Sequence, residues 1–284
     1  MNLSGSSVIE RLQQNYDGFC FDENAQSHVY CPWSVLNFFN RPERGFQNYW
    51  YASGGQPAAL MKYLASHTLA KPISYSETKE VRLSELSAAR QYDDIGLEAL
   101  LTQAGYLTIK ETTTDQYAIL GYPNLEVAVS MAQLYADELL SGKRLRQPGS
   151  TLITHVLAKG TSDELVEQFN GVVNAIDYVK YPIVDEASLR AYIQVLLIGA
   201  AMIPQVEVHS ALGRSDMEVC AGNCHWVLEF KYASTESEVN RLLREGIEQV
   251  HSRHYGITTD QQDLKRLVLV FNAQKRSFTA WKEC

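Results

Sequence analysis

Apolar and polar residues alternate along positions 225–231, with a large apolar side chain at every second position: Trp226, Leu228 and Phe230. A period of two is typical of a β-strand. Ala221-Gly222-Asn223 predicts a turn before this strand, and the segment ending at Cys220 predicts its partner. Such a hairpin would bring Asp216 opposite Glu229, with Glu229 and Lys231 on the same face. An earlier strand, QVEVHSAL, is predicted before a second turn at Gly213-Arg214-Ser215.

The rest of the chain shows mainly helical spacing of apolar residues, interrupted by two strand patterns near the C-terminus. RLVLVFN predicts a central buried strand, and RSFTAW predicts a final strand at a sheet edge. From Pro32, apolar residues predict a helix with this buried face: Trp33, Val35, Leu36 and Phe39. Further helices are predicted over residues 8–14, 57–67, 95–105, 123–139, 151–158, 162–178, 185–200 and 234–255.

The region 80–140 combines a helix, two strands around the turn Thr113-Thr114-Asp115, and a second helix. This order is typical of a winged-helix unit, which can bind DNA or can serve as a packing module. Only Lys110 lies near the predicted wing, so the composition favours packing. SGKRLRQPGS, residues 141–150, predicts a domain boundary because it is polar and contains Pro148 and Gly149. Its three basic residues either belong to a solvated linker or contact a nucleic-acid backbone.

Composition places the chain among globular proteins, with 284 residues of which 45% are hydrophobic. No apolar run is long enough to span a membrane, and residues 1–14 lack a secretion pattern, so a cytoplasmic location is expected. Five cysteines without framework spacing agree with a reducing compartment. Cys220 and Cys224 are either half of a zinc site or two separate thiols. The net charge of −8 argues against a broadly basic surface that coats DNA.

The candidate catalytic residues are Asp216, Glu229 and Lys231. Two carboxylates supply hard oxygen ligands for Mg²⁺ or Mn²⁺, and such a metal activates water and stabilises charge on a phosphate. A lysine beside them can orient the water or stabilise that charge. The alternative is an exposed hairpin with a surface ion pair of little energetic value. Spacing alone does not decide between the two.

The surrounding segments carry a resemblance to a known family. GRSDMEV followed by WVLEFK, then Glu248-Gln249 on a helix and LVLVFNAQKRSFTAW, resembles the PD-(D/E)XK nuclease superfamily. More closely it resembles the DUF1703-type subgroup that is joined to an AAA-ATPase-like region. Upstream, YDGFCF, VYCPWSVLNFF and NYWYASG are similar to the end of that ATPase-like region, and AGYLTIK and LGYPNLEV to its middle part.

The resemblance implies metal-dependent hydrolysis of nucleic acid, DNA in particular. Asp216 and Glu229 would hold the metal, Lys231 would act on the water or the phosphate, and Gln249 would complete the site. A helix before the first core strand often supplies a further carboxylate, here Glu186. The Tyr-His pair common in that helix is missing, because Ile193 follows Tyr192. Two further residues have open roles: Glu207 is a metal ligand or a surface acid, and Arg214 binds a phosphate or caps the turn.

The expected fold class is therefore α+β. Residues 1–145 are expected to form a helical, winged-helix-like tail of an AAA-ATPase-like region, and residues 146–284 a restriction-endonuclease-like core with a mixed sheet flanked by helices. No phosphate-binding loop G-x-x-x-x-G-K-[ST] is present, so a nucleotide-driven motor is disfavoured, and a separate ATPase portion is left open. The main alternative is an inactive nuclease fold that binds a protein or nucleic-acid partner. A homo-oligomer is left open.

Overall fold

The computed structural model describes residues 5–52, 79–87, 95–140, 149–200, 202–210, 213–253 and 263–284. The chain divides into two compact units. The first comprises residues 1–69 and 76–131, and the second comprises residues 70–75 and 132–284. The predicted helix over 57–67 and most of the predicted linker, 141–148, lie outside the described residues. The expected boundary at residue 145 and the winged-helix assignment remain predictions.

The first unit consists of short helices and two small sheets. Its helices are α1 (Gly5–Tyr16), α2 (Pro32–Asn40), α3 (Tyr49–Ala52), α4 (Leu83–Ser87), α5 (Leu97–Gln103) and the start of α6 (Leu125–Leu139). Strands β1 (Phe19–Cys20) and β2 (His28–Val29) form one antiparallel pair. Strands β3 (Lys79–Arg82), β4 (Thr108–Thr112) and β5 (Tyr117–Gly121) form a second sheet in the order β3-β5-β4.

Helix α2 begins at Pro32 as predicted, and Val35 of its predicted face packs against a buried cluster, but the other three residues of that face do not. Trp33, Leu36 and Phe39 are exposed by 54%, 68% and 59%, whereas Ser34 and Phe38 are buried. The reason is a carboxylate: Ser34 Oγ donates a hydrogen bond of 2.7 Å to buried Glu126, which also accepts the Tyr49 and Trp50 backbone N–H groups. A buried carboxylate requires such donors, and they turn the serine face of α2 inward.

The second unit is a five-stranded mixed sheet with helices packed against it. The strands are β6 (Gln205–Ser210), β7 (Gly213–Ala221), β8 (Cys224–Ala233), β9 (Asp263–Asn272) and β10 (Ser277–Glu283). They lie in the order β10-β9-β8-β7-β6, and only β8 and β9 pair in parallel. The mixed sheet flanked by helices and the edge position of RSFTAW agree with the sequence-based expectations.

Four helices frame this sheet: α7 (Gly149–Lys159), α8 (Ser162–Val173), α9 (Glu186–Gly199) and α10 (Val239–Arg253). Asp185 caps α9 as predicted, in a reciprocal capping box with Ser188. Helix α8 is capped by Thr161 rather than Ser162 and ends at Val173, earlier than predicted. Helix α10 starts at Val239 rather than Ser234, after a short 3₁₀ turn at Glu236–Glu238. No helix in the described part of the chain combines the length and apolarity needed to cross a membrane.

The hairpin β7–β8 has the predicted turn, with Gly222 in the left-handed region at φ +60°. The second predicted turn, at residues 213–215, is wrong. Gly213, Arg214 and Ser215 belong to β7 and pair with Ser210, His209 and Val208 of β6. Extending β7 by these residues brings Asp216 inside a strand, where its position is set by neighbours on both sides.

Candidate active site

Asp216 interrupts the ladder between β7 and β8. The backbone pairing of the two strands begins at Met217 opposite Leu228. One residue earlier in β7, Asp216 bonds to the backbone of β8 through its side chain. Asp216 Oδ2 accepts the backbone N–H of Phe230 over 2.8 Å. This hydrogen bond fixes the carboxylate beside Glu229, the neighbour of Phe230 in the chain. The hairpin therefore gathers the two acids that the sequence predicted to lie opposite each other.

Glu229 is deeply buried, with 1% of its side chain exposed. Its Oε1 accepts a hydrogen bond of 2.7 Å from Lys231 Nζ, and the lysine side chain is itself only 12% exposed. Its Oε2 is buried and has no hydrogen-bond partner. A buried oxygen of a carboxylate without a partner is costly in free energy, so this atom marks a place where a cation would be favourable.

The electrostatics of the pair follow from this burial. Burial, and after it the negative charge of Asp216, raises the pKa of Glu229 to about 7, although Lys231 opposes the shift. Burial by itself lowers the pKa of Lys231, but Glu229, Glu186 and Asp216 outweigh it and the net pKa is raised. Lys231 therefore stays protonated at neutral pH, whereas Glu229 changes between its protonated and its charged form near neutral pH.

Helix α9 contributes two charged side chains to this group. Glu186 Oε1 accepts the backbone N–H of Tyr232 over 3.4 Å, and its charge acts on both Glu229 and Lys231. Arg190 Nη1 donates to Asp216 Oδ1 over 3.2 Å. The two residues are four apart, so they share one helix face. That spacing was the available signal for Arg190, which the sequence analysis did not single out.

Helix α10 covers the lysine. A Cβ on Gly246 would lie 2.5 Å from Val268 Cγ1 and 3.6 Å from Lys231 Cε, so the helix backbone lies directly over the lysine stem. Gln249 is three residues further along and half-buried, which places it on the same side of the helix. Its assisting role remains a prediction.

Two further predicted residues, Glu207 on β6 and Arg214 on β7, lie near Asp216 along the sheet. Val206 pairs with Met217 and Val208 with Ser215, so the register sets the backbone of Glu207 opposite Asp216. Arg214 is exposed in β7, two residues before Asp216. The metal role of Glu207 and the phosphate role of Arg214 remain predictions.

A buried polar network follows Asp216 along β7. Ser215 Oγ donates to Glu218 Oε1 over 2.7 Å, and Glu218 Oε2 lies 2.9 Å from His225 Nε2. The sequence pattern assigned Ser215 to a turn and gave Glu218 and His225 no role. The spacing of Glu218 from Asp216 was an available signal, because alternate strand residues share a face. The network satisfies its own polar groups and holds β7 to the start of β8.

The donor set suits a hard divalent cation. Asp216, Glu229 and Glu186 supply carboxylate oxygens, which Mg²⁺ and Mn²⁺ prefer, and Glu229 Oε2 is an unsatisfied acceptor among them. In the described part of the chain, however, no three His, Cys, Asp or Glu side chains converge closely enough to hold a metal as they stand. Arg190 contacts Asp216 Oδ1, and Lys231 contacts Glu229 Oε1. Cys220 and Cys224 form no disulfide, and Cys224 Sγ donates to the Ala158 carbonyl.

The hairpin, the preceding helix and the covering helix form one continuous segment of chain. Residues 185–281 match the family model of the PD-(D/E)XK nuclease superfamily. The match begins at the cap of α9, includes Glu186, Asp216, Glu229 and Lys231, and ends in β10. It confirms the resemblance at the level of the superfamily. The DUF1703-type subgroup and the ATPase-like region remain predictions from the motifs.

One curated relative is similar to a larger part of the chain. It is an uncharacterized protein in the vnfD 5′ region of Azotobacter chroococcum mcd 1, 32% identical over 147 residues. The similarity covers 50% of this chain and 26% of the relative. The chain therefore spans about a quarter of that relative's length.

Proposed function

We propose that this protein is a metal-dependent nuclease that hydrolyses phosphodiester bonds of nucleic acid, with DNA as its substrate. The observation that carries the proposal is the buried, unpartnered Oε2 of Glu229, a residue that is paired with Lys231 through its other oxygen, within the segment that matches a nuclease superfamily. A cation at Oε2 would supply the partner that this oxygen lacks.

In this proposal Asp216 and Glu229 hold Mg²⁺ or Mn²⁺, with Glu186 and Glu207 as additional oxygen ligands. When bound, the metal supplies positive charge that stabilises the phosphate as negative charge develops on it. Lys231 keeps its proton because three acids surround it, so it stabilises charge on a phosphate oxygen or orients water and does not serve as a base. Gln249 assists that orientation.

The acidic chain is compatible with a nucleic-acid substrate if cations at the site bind the phosphate. Its net charge is −8, so affinity cannot come from a broad basic surface. Local cations must hold the phosphate, and Lys231, Arg190, the metal and the predicted phosphate contact Arg214 are candidates among the described residues. We therefore expect weak binding without metal and substantial binding with it.

The proposal predicts that cleavage depends on a divalent metal. We expect the purified protein to cut DNA with Mg²⁺ or Mn²⁺, to stop when EDTA is added, and to resume when the metal is restored. The measurement is an end-labelled cleavage assay on single-stranded and duplex DNA and on RNA of the same sequence. Cleavage that persists in EDTA would contradict a metal-dependent reaction. Faster cleavage of the RNA than of the DNA would show that RNA is the preferred substrate.

The bound metal should also stabilise the protein more at pH 8 than at pH 6. The folded-state pKa of Glu229 is about 7, above its ordinary value of 4.5. The metal-free fold is therefore favoured at low pH and loses stability as the pH rises through 7, where the buried carboxyl becomes charged. Metal binding needs the charged form, so we expect about tenfold weaker affinity at pH 6 than at pH 8.

Thermal unfolding with and without Mg²⁺ at pH 6, 7 and 8 measures this effect. The control is Glu229→Gln, which cannot exchange a proton and should show a small metal-induced shift that varies little with pH. A shift in the wild-type protein that is equal at the three pH values would contradict the role of Glu229.

A second candidate function is an inactive nuclease fold that binds a partner. The observation in its favour is that Asp216 is already engaged on both oxygens, by Phe230 N–H and by Arg190. This alternative predicts a folded protein without Mg²⁺ affinity and with partner binding that survives substitution of Asp216. Metal-dependent cleavage by the wild-type protein excludes it.

A further inference from the structure

Arg190 forms an ion pair with the acid on which the proposed metal site depends. Its Nη1 lies 3.2 Å from Asp216 Oδ1, and the two side chains are 22% and 19% exposed. The other oxygen, Oδ2, is fixed by the Phe230 backbone N–H inside the sheet. A cation that bound Asp216 at Oδ1 would compete with Arg190 for that oxygen.

Helix α9 holds this arginine in a defined place. The helix starts at a capping box, in which Asp185 Oδ1 accepts the Ser188 N–H over 2.7 Å and Ser188 Oγ binds back to Asp185. Arg190 follows in the next turn, and Glu186, four residues earlier, is bonded to the backbone of β8. The guanidinium is thus attached to the sheet through a capped helix rather than a loop.

Charge balance at the site gives the arginine two different surroundings. Without metal, Arg190 pairs with Asp216 and Lys231 pairs with Glu229. With a divalent metal at Asp216 Oδ1, Arg190 would lie beside a like charge at short range, which is unfavourable. A phosphate bound to the same metal would restore an anion next to the guanidinium.

We propose that Arg190 is a substrate-binding residue that contacts a non-bridging oxygen of the phosphodiester once the metal has taken its place on Asp216. The residue would thereby couple metal binding to substrate binding. This inference rests on the proposed nuclease function and adds the residue that recognises the phosphate. A guanidinium suits the task because its planar fork of N–H donors matches phosphate oxygens and always carries its charge.

The test uses Arg190→Gln and Arg190→Lys, with Arg241→Gln as the matched control. Arg241 is an exposed arginine on α10 that pairs with Glu245 one turn away, so its loss should change nothing at the site. Mg²⁺ binding without DNA is measured by calorimetry. Binding of single-stranded and duplex DNA is measured with Ca²⁺, another hard cation for oxygen ligands, at several salt concentrations, and the cleavage rate with Mg²⁺ is measured separately.

For Arg190→Gln we expect Mg²⁺ to bind at least as tightly as to the wild type, because a competitor for Asp216 is removed. DNA affinity with Ca²⁺ should fall about tenfold. The slope of the logarithm of affinity against the logarithm of salt concentration should become shallower by about one, the value for one lost phosphate contact. Arg190→Lys should regain part of the DNA affinity and the salt dependence, since it keeps the charge but loses the fork. A residue that only positions Asp216 would change Mg²⁺ binding and leave the salt dependence intact.

Two results would overturn the inference while leaving the proposed nuclease in place. One is weaker Mg²⁺ binding by Arg190→Gln without DNA. The other is unchanged DNA affinity and salt dependence in a variant whose wild-type parent binds Mg²⁺ and cuts DNA. If the wild-type protein itself binds no Mg²⁺ and cuts no DNA, the proposed function and the role of Arg190 fail together.

Discussion

Replacing Asp216 with Asn is expected to reduce metal-dependent cleavage by about a thousandfold or more while the protein stays folded. The substitution removes the charge and keeps the shape, and the amide oxygen can still accept the Phe230 N–H that Asp216 binds over 2.8 Å. Charge stabilisation by a catalytic metal contributes several kcal/mol, and each 1.36 kcal/mol changes the rate about tenfold. The predicted loss follows from these two magnitudes.

The fold should tolerate this substitution because Asp216 is not a buried, unpaired charge. About a fifth of its side chain is exposed, and its ion pair with Arg190 is similarly exposed, at 19% and 22%. Partly exposed pairs contribute about 1 kcal/mol or less. We therefore expect a small change in thermal stability and a complete loss of measurable Mg²⁺ binding by calorimetry.

Glu167→Gln provides the matched control, because Glu167 is an exposed acid on α8 in the same unit. It should keep both cleavage and Mg²⁺ binding. Wild-type activity in a clean preparation of Asp216→Asn would remove Asp216 from the site and attribute the cleavage to other residues or to a contaminant.

The second large effect concerns stability. Gly246→Val should destabilise the second unit by about 1–3 kcal/mol, the usual cost of overfilling a packed core. The first added carbon would lie 2.5 Å from Val268 Cγ1, and Val268 is fully buried in a cluster with Val227 and Val250. A β-branched side chain has little rotational freedom, so Val268 cannot turn away and α10 must move.

Helix propensity opposes this loss but is too small to cancel it. Gly is less favourable than Val in a helix interior by only a few tenths of a kcal/mol. Moving α10 would also uncover the Lys231 stem, whose Cε would lie 3.6 Å from a Cβ at position 246. We therefore expect weaker Mg²⁺ binding and slower cleavage in the same variant.

Gly171→Val is the same substitution at an open position. Gly171 lies on α8, and a Cβ there would meet no atom within 4 Å. Its effect should stay within about 0.5 kcal/mol, typical of surface changes. Chemical denaturation of the two variants gives the comparison. Equal stability of both would show that α10 does not pack closely on β9.

Local sequence pattern predicted much of the second unit. The alternation around Trp226 predicted β8, the glycine at 222 predicted its turn, and Asp185 predicted the start of α9, all as the structure has them. These features depend on neighbours in the chain, so they can be read from it. The motifs around Asp216 and Glu229 also predicted the superfamily that residues 185–281 match.

Long-range contacts explain the wrong predictions. Helix α2 turns its serine face inward because Glu126, distant in sequence, needs hydrogen-bond donors. Residues 213–215 extend β7 because β6 pairs with them, although glycine and serine there are typical of a turn. Neither partner can be found from residues within one turn or strand.

The sequence by itself determined which side chains can carry chemistry here: two acids and a lysine at strand spacing, with a further acid at the start of a helix. The tertiary structure decided their state. Burial raises the pKa of Glu229 to about 7 and leaves one of its oxygens unpartnered, and the packing of α9 against the sheet sets Arg190 on Asp216. Desolvation and ion pairing depend on atoms brought together by folding, so no local pattern contains them.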